Sequence, residues 1–238
     1  MKILVACEYS GKVRDAMRRR GHEAVSCDLL PTDTPGPHYQ GDVFDIIHGA
    51  YLSKNGEVFE YGLGKYGVPS KSKFIEWDMM IGFPPCTYVC ASGLHWNNKV
   101  PGRQKKTNQA VQFFKRLLSV EITHIALENP VGCLSTHVRK PDQMIQPYQF
   151  GDDASKKTCL WLKNLPPLKP TKYIEPRIID GKPRWGNQTD SGQNNLLPSE
   201  DRWKIRSKTY TGIAEAMAKQ WGGKPTTYQS ELFGRACT

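Results

Sequence analysis

Four short apolar runs in this chain stop abruptly at polar or proline punctuation, and no other feature constrains the fold as much. Residues 2–7 (KILVAC) run into Glu8-Tyr9-Ser10-Gly11, and residues 23–27 (EAVSC) into Asp28. Residues 77–83 (WDMMIGF) run into Pro84-Pro85-Cys86, and residues 122–127 (ITHIAL) into Glu128-Asn129-Pro130. Short apolar runs of this kind read as buried strands. Helical patterns lie between and after them. A basic segment opens at Ser10-Gly11, runs to about Arg20 with Val13, Ala16 and Met17 inward, and stops at Gly21. Residues 107–120 place Ala110, Val111, Phe113, Phe114, Leu117 and Leu118 at helical spacing, and 209–221 do so with Ile213, Ala214, Met217 and Trp221. Residues 158–162 (TCLWL) read as one more strand. Strands alternating with helices predict an open α/β sheet, whose ligands bind outside the carboxyl ends of its strands. The polar punctuation falls where such a site belongs.

Three stretches do not fit that alternation. Pro31, Pro35, Gly36 and Pro37 make a stiff loop. Residues 50–73 read as an insertion, with a hairpin signal at Asn55-Gly56 and Tyr51, Phe59, Tyr61 and Tyr66 interleaved with lysines, either a solvated excursion or a nucleic-acid-contacting flap. Residues 164–202 are rich in Pro, Gly, Asn, Gln and Lys and read as a small irregular second lobe, and the tail after Gly223 reads as loosely held.

The chain has 238 residues, enough for one domain and a small lobe. Nothing approaches the apolar length of a transmembrane helix, and the start, MKILVACE, is charged too soon for a signal peptide. Its seven cysteines include no CxxC pair, and Cys86 and Cys90 have no second pair at ligand spacing. This argues against a disulfide framework or a structural zinc site and for a reduced, cytoplasmic setting with no metal. The net charge is +10, which favours a polyanionic partner, nucleic acid first.

The strand ends offer specific chemistry. Gly11 permits close backbone approach at a helix start, and Asp28 stands where ribose hydroxyls are bound. One glycine in place of GxGxxG makes a phosphate cradle doubtful and suits a sulfonium cofactor without phosphate. Cys86, held by two prolines at a strand end, is a candidate nucleophile or a buried hydrophobe. Glu128, at the end of another buried strand, needs a partner: either a structural cation or the amino group and ring nitrogen of a flipped pyrimidine.

In this order the residues resemble the DNA (cytosine-5) methyltransferases, particularly their small single-domain phage members. Residues 3–11 are similar to the first cofactor motif, Pro84-Pro85-Cys86-Thr87 to the nucleophile motif, and Glu128-Asn129-Pro130 to the family's ENV motif. Gln149 through Thr158 lie where the family has a Gln-Arg-rich strand, and Thr209 through Ala218 resemble the last motif. The resemblance implies a Rossmann-like class I S-adenosylmethionine-dependent methyltransferase fold. Residues 1–163 and 203–223 would form the catalytic domain, 164–202 the target-recognition region and 50–73 a flap. It implies S-adenosylmethionine held by Cys7, Glu8, Tyr9, Ser10, Gly11, Asp28, Leu29, Asp42 and Pro84. It further implies catalysis by Cys86 and Glu128, with Asn129 and Pro130 fixing the Glu128 loop and Lys156 or Lys157 holding the base's carbonyl oxygen. DNA contacts are expected from Ser92, Arg177, Arg184, Asn187 and Gln188, with Trp185 as a stack or wedge. A monomer is expected.

The departures are specific. The first motif lacks Phe-x-Gly-x-Gly, Thr87 replaces a usual Gln, Pro130 replaces Val, and lysines replace the Gln-x-Arg-x-Arg pattern. Where the family has a Gly-Asn-Ser/Ala segment near the transferred methyl, this chain has Arg206-Ser207-Lys208-Thr209. Lys208 there could neutralise a carboxylated donor, making carboxy-S-adenosylmethionine and carboxymethyl transfer an alternative. An RNA cytosine methyltransferase, a catalytically silent DNA-binding relative and, less favoured, a pyrimidine mononucleotide hydroxymethylase are the other readings.

Overall fold

The computed structural model describes residues 1–48, 51–52, 58–59 and 76–223. The apolar runs become strands β1 (Lys2–Ala6) and β2 (Glu23–Asp28), and a third short strand, β3 (His38–Gln40), follows the proline loop. A two-residue pairing of β4 (Tyr51–Leu52) with β5 (Val58–Phe59) is the antiparallel hairpin expected around Asn55-Gly56. That turn, most of the 50–73 flap and the tail beyond Gly223 lie outside the described residues. Strands β6 (Met79–Gly82), β7 (His124–Pro130), β8 (Gln143–Ile145) and β9 (Thr158–Lys163) complete one seven-stranded sheet in the order β3-β2-β1-β6-β7-β9-β8. Only β9 runs against the others. This order, with its single reversed strand, is the Rossmann-like class I methyltransferase arrangement that the resemblance implies.

The sheet is covered on both faces, which is why its central strands carry no polar alternation. On one side α2 (Val43–His48) and α4 (Arg103–Leu118) bring Ile46, Val111, Phe114 and Leu117 against Leu4, Met80, Ile125 and Trp161. Phe114 meets Trp161 edge to face with ring centroids 5.0 Å apart, an arrangement worth about 0.5–1.5 kcal/mol beyond burial. On the other side α1 (Lys12–Arg19) and α7 (Thr211–Trp221) pack Val13, Met17, Ile213 and Met217 against Ile3, Val5, Met79 and Leu160. Short helices α3 (Ala91–Leu94), α5 (Leu134–His137) and α6 (Arg202–Ser207) lie in the connections.

Two sequence expectations shift. Glu128, Asn129 and Pro130 are inside β7 rather than beyond it, because β9 pairs with all three residues. The 164–202 segment is less irregular than its composition: β10 (Arg177–Ile179) and β11 (Lys182–Arg184) form a hairpin about Asp180-Gly181, both at positive φ, the geometry that turn chemistry favours. Among the described residues no helix is long and apolar enough to cross a membrane.

Candidate active site

Strand order reverses at β1, whose neighbours β2 and β6 lead to opposite edges. The crevice outside the carboxyl ends of β1 and β6 is therefore the expected ligand position. Four of the nominated residues converge there. The Cys7 thiol is pushed up by burial and by the nearby Cys27, Asp28 and Asp42. Burial also raises Asp28, against the Leu30 N–H, which donates to its Oδ1 at 3.0 Å, and against His38. Asp42 accepts from the Phe44 N–H at 2.9 Å and so starts α2. Leu29 is 74% exposed directly after Asp28, an apolar side chain with no packing role in the fold.

The rest of the first motif faces inward. Glu8 is 3% exposed, and its carboxylate accepts from the N–H groups of Val13 (2.7 Å) and Arg14 (3.4 Å) and from the Ser10 hydroxyl (3.2 Å). Burial pushes this carboxyl up to about 7 against those donors. It occupies the α1 N-terminus, the position where dinucleotide-binding folds seat a phosphate. Gly11 has φ +70, and a Cβ there would lie 2.2 Å from Thr34 Oγ1, so the turn admits no side chain. Tyr9 donates to the Lys204 carbonyl, lies within hydrogen-bond distance of Ser207 Oγ and carries the Lys204 ammonium over its ring. Glu8, Tyr9 and Ser10 thus organise α1 and α6, leaving mainly the backbone of this loop toward a ligand.

The chemistry-bearing groups gather at β6, β7 and β9. Asn129 is 1% exposed and donates from Nδ2 to the Pro84 carbonyl at 2.7 Å, tying β7 to the Pro-Pro-Cys turn. Its Oδ1 and Glu128 Oε1 are buried without a hydrogen-bond partner. Burial raises the Glu128 carboxyl, while Lys156 and the Thr158 hydroxyl pull it down. A cleft is lined by Phe83, Glu128, Pro147, Lys156, Thr158, Ser207, Thr209, Tyr210 and Ile213. It joins the strand ends to the segment resembling the last motif.

Of the two lysines, Lys156 lines the cleft with Thr158 and acts on Glu128, and its Nζ also donates to the Arg206 carbonyl at 2.9 Å. Lys157 is exposed and acts on Cys159. Cys86 feels Glu128 and Lys156 as well as the neighbouring Cys90 thiol. The interaction between the two thiols pushes Cys86 up and Cys90 down, Cys90 being helped further by the Ser92 hydroxyl and the Gly93 N–H. Ser92 is therefore bound to Cys90, at 3.4 Å.

Other nominated side chains have partners within the protein. Lys208 pairs with Asp33 at 2.7 Å, and Lys204 joins at 3.3 Å. In the small lobe Arg177 reaches Asp190 and the Gln188 carbonyl, and Arg184 the Asp190 carbonyl. Trp185 stacks on Tyr148 at 4.3 Å and 11° and donates to the Ile174 carbonyl. Asn187 bonds the Ser155 N–H and carbonyl, and Gln188 bonds Trp185 and Gly192. These residues build the lobe and dock it beside Lys156.

Sequence reasoning missed Cys90, Thr158, Asp33 and Arg14. Cys90 was detectable as the residue one turn beyond Cys86, and Thr158 as the same-face neighbour of Lys156. Arg14, fully buried in a helix that reads as basic and solvated, carried no signal. Among the described residues no cluster of His, Cys, Asp and Glu could hold a metal.

No protein-family profile and no curated protein matches this sequence. Among solved structures, one similar chain is a protein assigned as a DNA modification methyltransferase encoded within an E. coli prophage, at 12% identity and TM-score 0.42 over 76% of this chain and 53% of that one. Another is the Entamoeba histolytica methyltransferase EhMeth, at 15% identity and TM-score 0.38 over 74% of this chain and 58% of that one. This chain spans little more than half the length of either.

Proposed function

We propose that this protein is an S-adenosylmethionine-dependent DNA (cytosine-5) methyltransferase. The observation that carries the reading is the pairing of a thiol and a buried, incompletely bonded carboxyl at adjacent strand ends: Cys86 after β6 and Glu128 in β7, fastened by the Asn129–Pro84 bond. A buried acceptor without a partner costs about 1–3 kcal/mol, and a cytosine edge would satisfy it. The net charge of +10 supports a polyanionic substrate.

The residues present fit the cofactor. Asp28 would bind ribose hydroxyls, Leu29 cover the adenine face and Asp42 accept from the adenine amino group. Glu8 already fills the α1 N-terminus, which favours a nucleoside without phosphates. Bound S-adenosylmethionine supplies an electrophilic methyl group.

The chain's own residues do the rest. Cys86 adds through sulfur to carbon 6 of a flipped cytosine, its thiol proton passing to solvent. Glu128, raised by burial and so able to carry a proton, donates to N3 as the ring accepts the thiolate's electrons, making carbon 5 nucleophilic. Lys156 holds the carbonyl oxygen. After transfer, solvent takes the carbon-5 proton, the Cys86 sulfur departs and N3 returns its proton to Glu128, which restores the ring. Residues 164–202 act as the target reader, rigid enough to fix a short site. No observation favours a carboxylated donor, since Asp33 engages the Lys208 ammonium.

Duplex DNA carrying 5-fluorocytosine tests the mechanism, because fluorine cannot leave carbon 5 as a proton does. Wild-type protein with the cofactor should form a denaturation-resistant adduct at Cys86, and Cys86→Ala none. 5-Methylcytosine in DNA from expressing cells should likewise require Cys86. Modified RNA with unmodified DNA would overturn the substrate assignment, and an adduct on another residue would overturn the nucleophile.

A further inference from the structure

Cys86 is followed at 87–89 by a tight turn in which the N–H groups of Val89 and Cys90 both donate to the Cys86 carbonyl at 3.0 Å. A turn closed from residue i to i+4 stacks the two side chains on one side. It brings the Cα atoms to roughly 6 Å, inside the range a disulfide spans. The two thiols accordingly lie near enough for each to shift the ionisation of the other. The turn is held from outside as well: Cys90 pairs with Gly132, and the Cys133 N–H donates to the Val89 carbonyl at 2.9 Å. Both thiols are partly accessible. The redox partner and the nucleophile are thus neighbours on one fixed loop.

We infer that Cys86 and Cys90 form a reversible disulfide under hydroperoxides, making this turn an oxidation site that takes the nucleophile out of service. The loss of activity rests on the proposed role of Cys86; the disulfide itself does not. Cys90, the thiol of the pair that is pushed down and carries the Ser92 hydroxyl beside it, attacks first. Its sulfur bonds to one peroxide oxygen, the O–O bond breaks, and the other oxygen leaves as hydroxide and is protonated to water. Cys90 is then a sulfenic acid, oxidised by two electrons. The Cys86 sulfur attacks that of Cys90, the S–O bond breaks, and the departing hydroxide takes the Cys86 proton as water. Two thiols and one peroxide give one disulfide and two waters. A dithiol reductant reverses the result by exchange.

The test uses the full chain and hydrogen peroxide. Cys86 and Cys90 share the tryptic peptide 74–99, which contains no other cysteine. After oxidation and alkylation of free thiols, that peptide should lose two hydrogens and take up no label; dithiothreitol should restore two labels. In Cys86→Ser the peptide should stop at a Cys90 sulfenic acid trapped by dimedone, with no loss of two hydrogens. Wild-type peptide that remains doubly alkylated, or a bridge to Cys133 in place of Cys86, would overturn the inference without any variant. Peroxide should also abolish DNA modification in step with the disulfide. A disulfide formed with modification unchanged would instead remove Cys86 from the proposed mechanism and leave the redox pair standing.

Discussion

Replacing Glu8 with Gln isolates one buried carboxyl in the turn between β1 and α1. The wild-type carboxyl ordinarily titrates at 4.5 and is raised by burial to about 7. Between those values the folded protein holds a proton that the unfolded chain has released, so stability is greatest at low pH and falls as pH rises through 7. Integrating that single group from pH 5 to pH 8 gives a loss of about 2–3 kcal/mol. Urea unfolding at pH 5, 6, 7 and 8 measures it directly. Glu8→Gln keeps an oxygen to accept from Val13 and Arg14 but has no proton to lose, so the difference between the proteins should widen toward high pH in favour of the variant. His22 and His38, both lowered by burial, push the slope the other way, but they are common to both proteins and cancel in the difference. Parallel stability curves for the two proteins would refute the assignment of this burial cost to Glu8.

Asn129→Ala removes the only tie from the Asn129 side chain to the Pro84 carbonyl. It should cost about 1–3 kcal/mol of stability and on the order of 100-fold in single-turnover rate through displacement of Cys86, with little change in DNA affinity. A rate unchanged despite the lost stability would show that the turn holds itself. Lys208→Asn breaks a surface ion pair with Asp33 and should shift unfolding by less than about 1 kcal/mol. Nucleoside mass analysis should give the same modified base, and loss of an acidic adduct on this substitution would restore the carboxylated donor. Trp185→Ala unstacks Tyr148 and should cost about 1–3 kcal/mol, while bisulfite sequencing shows a relaxed target; an unchanged target would place recognition elsewhere.

Strands whose apolar runs are buried on both faces were legible because the sheet leaves them no polar positions: Ile3, Leu4, Val5, Met80, Ile81 and Ile125 are all fully buried. The three-residue strands β3 and β8 were not, since their polar His38, Gln40 and Gln143 lie at sheet edges where no burial pattern is imposed. At the site, residue type and chain order were enough to nominate Cys86, Glu128 and Asn129. They could not say which polar side chains already had partners. Arg177, Arg184, Trp185, Asn187 and Gln188 have the hydrogen-bonding capacity of a base reader, yet a lobe of some forty residues has little core, and the same capacity holds it together. Polar composition therefore does not tell which of these groups are engaged within the segment. The reverse held for Arg14. Its guanidinium is 0% exposed and reaches Asp15, Ser26, Thr32, Thr34 and Pro35. It anchors the loop that carries Asp33 to Lys204 and Lys208, and so ties α1 to the segment lining the cleft. In both places the deciding quantity is the number of acceptors and donors, side chain and backbone together, that a loop brings within reach. Three-dimensional proximity sets that number, and residue type alone does not.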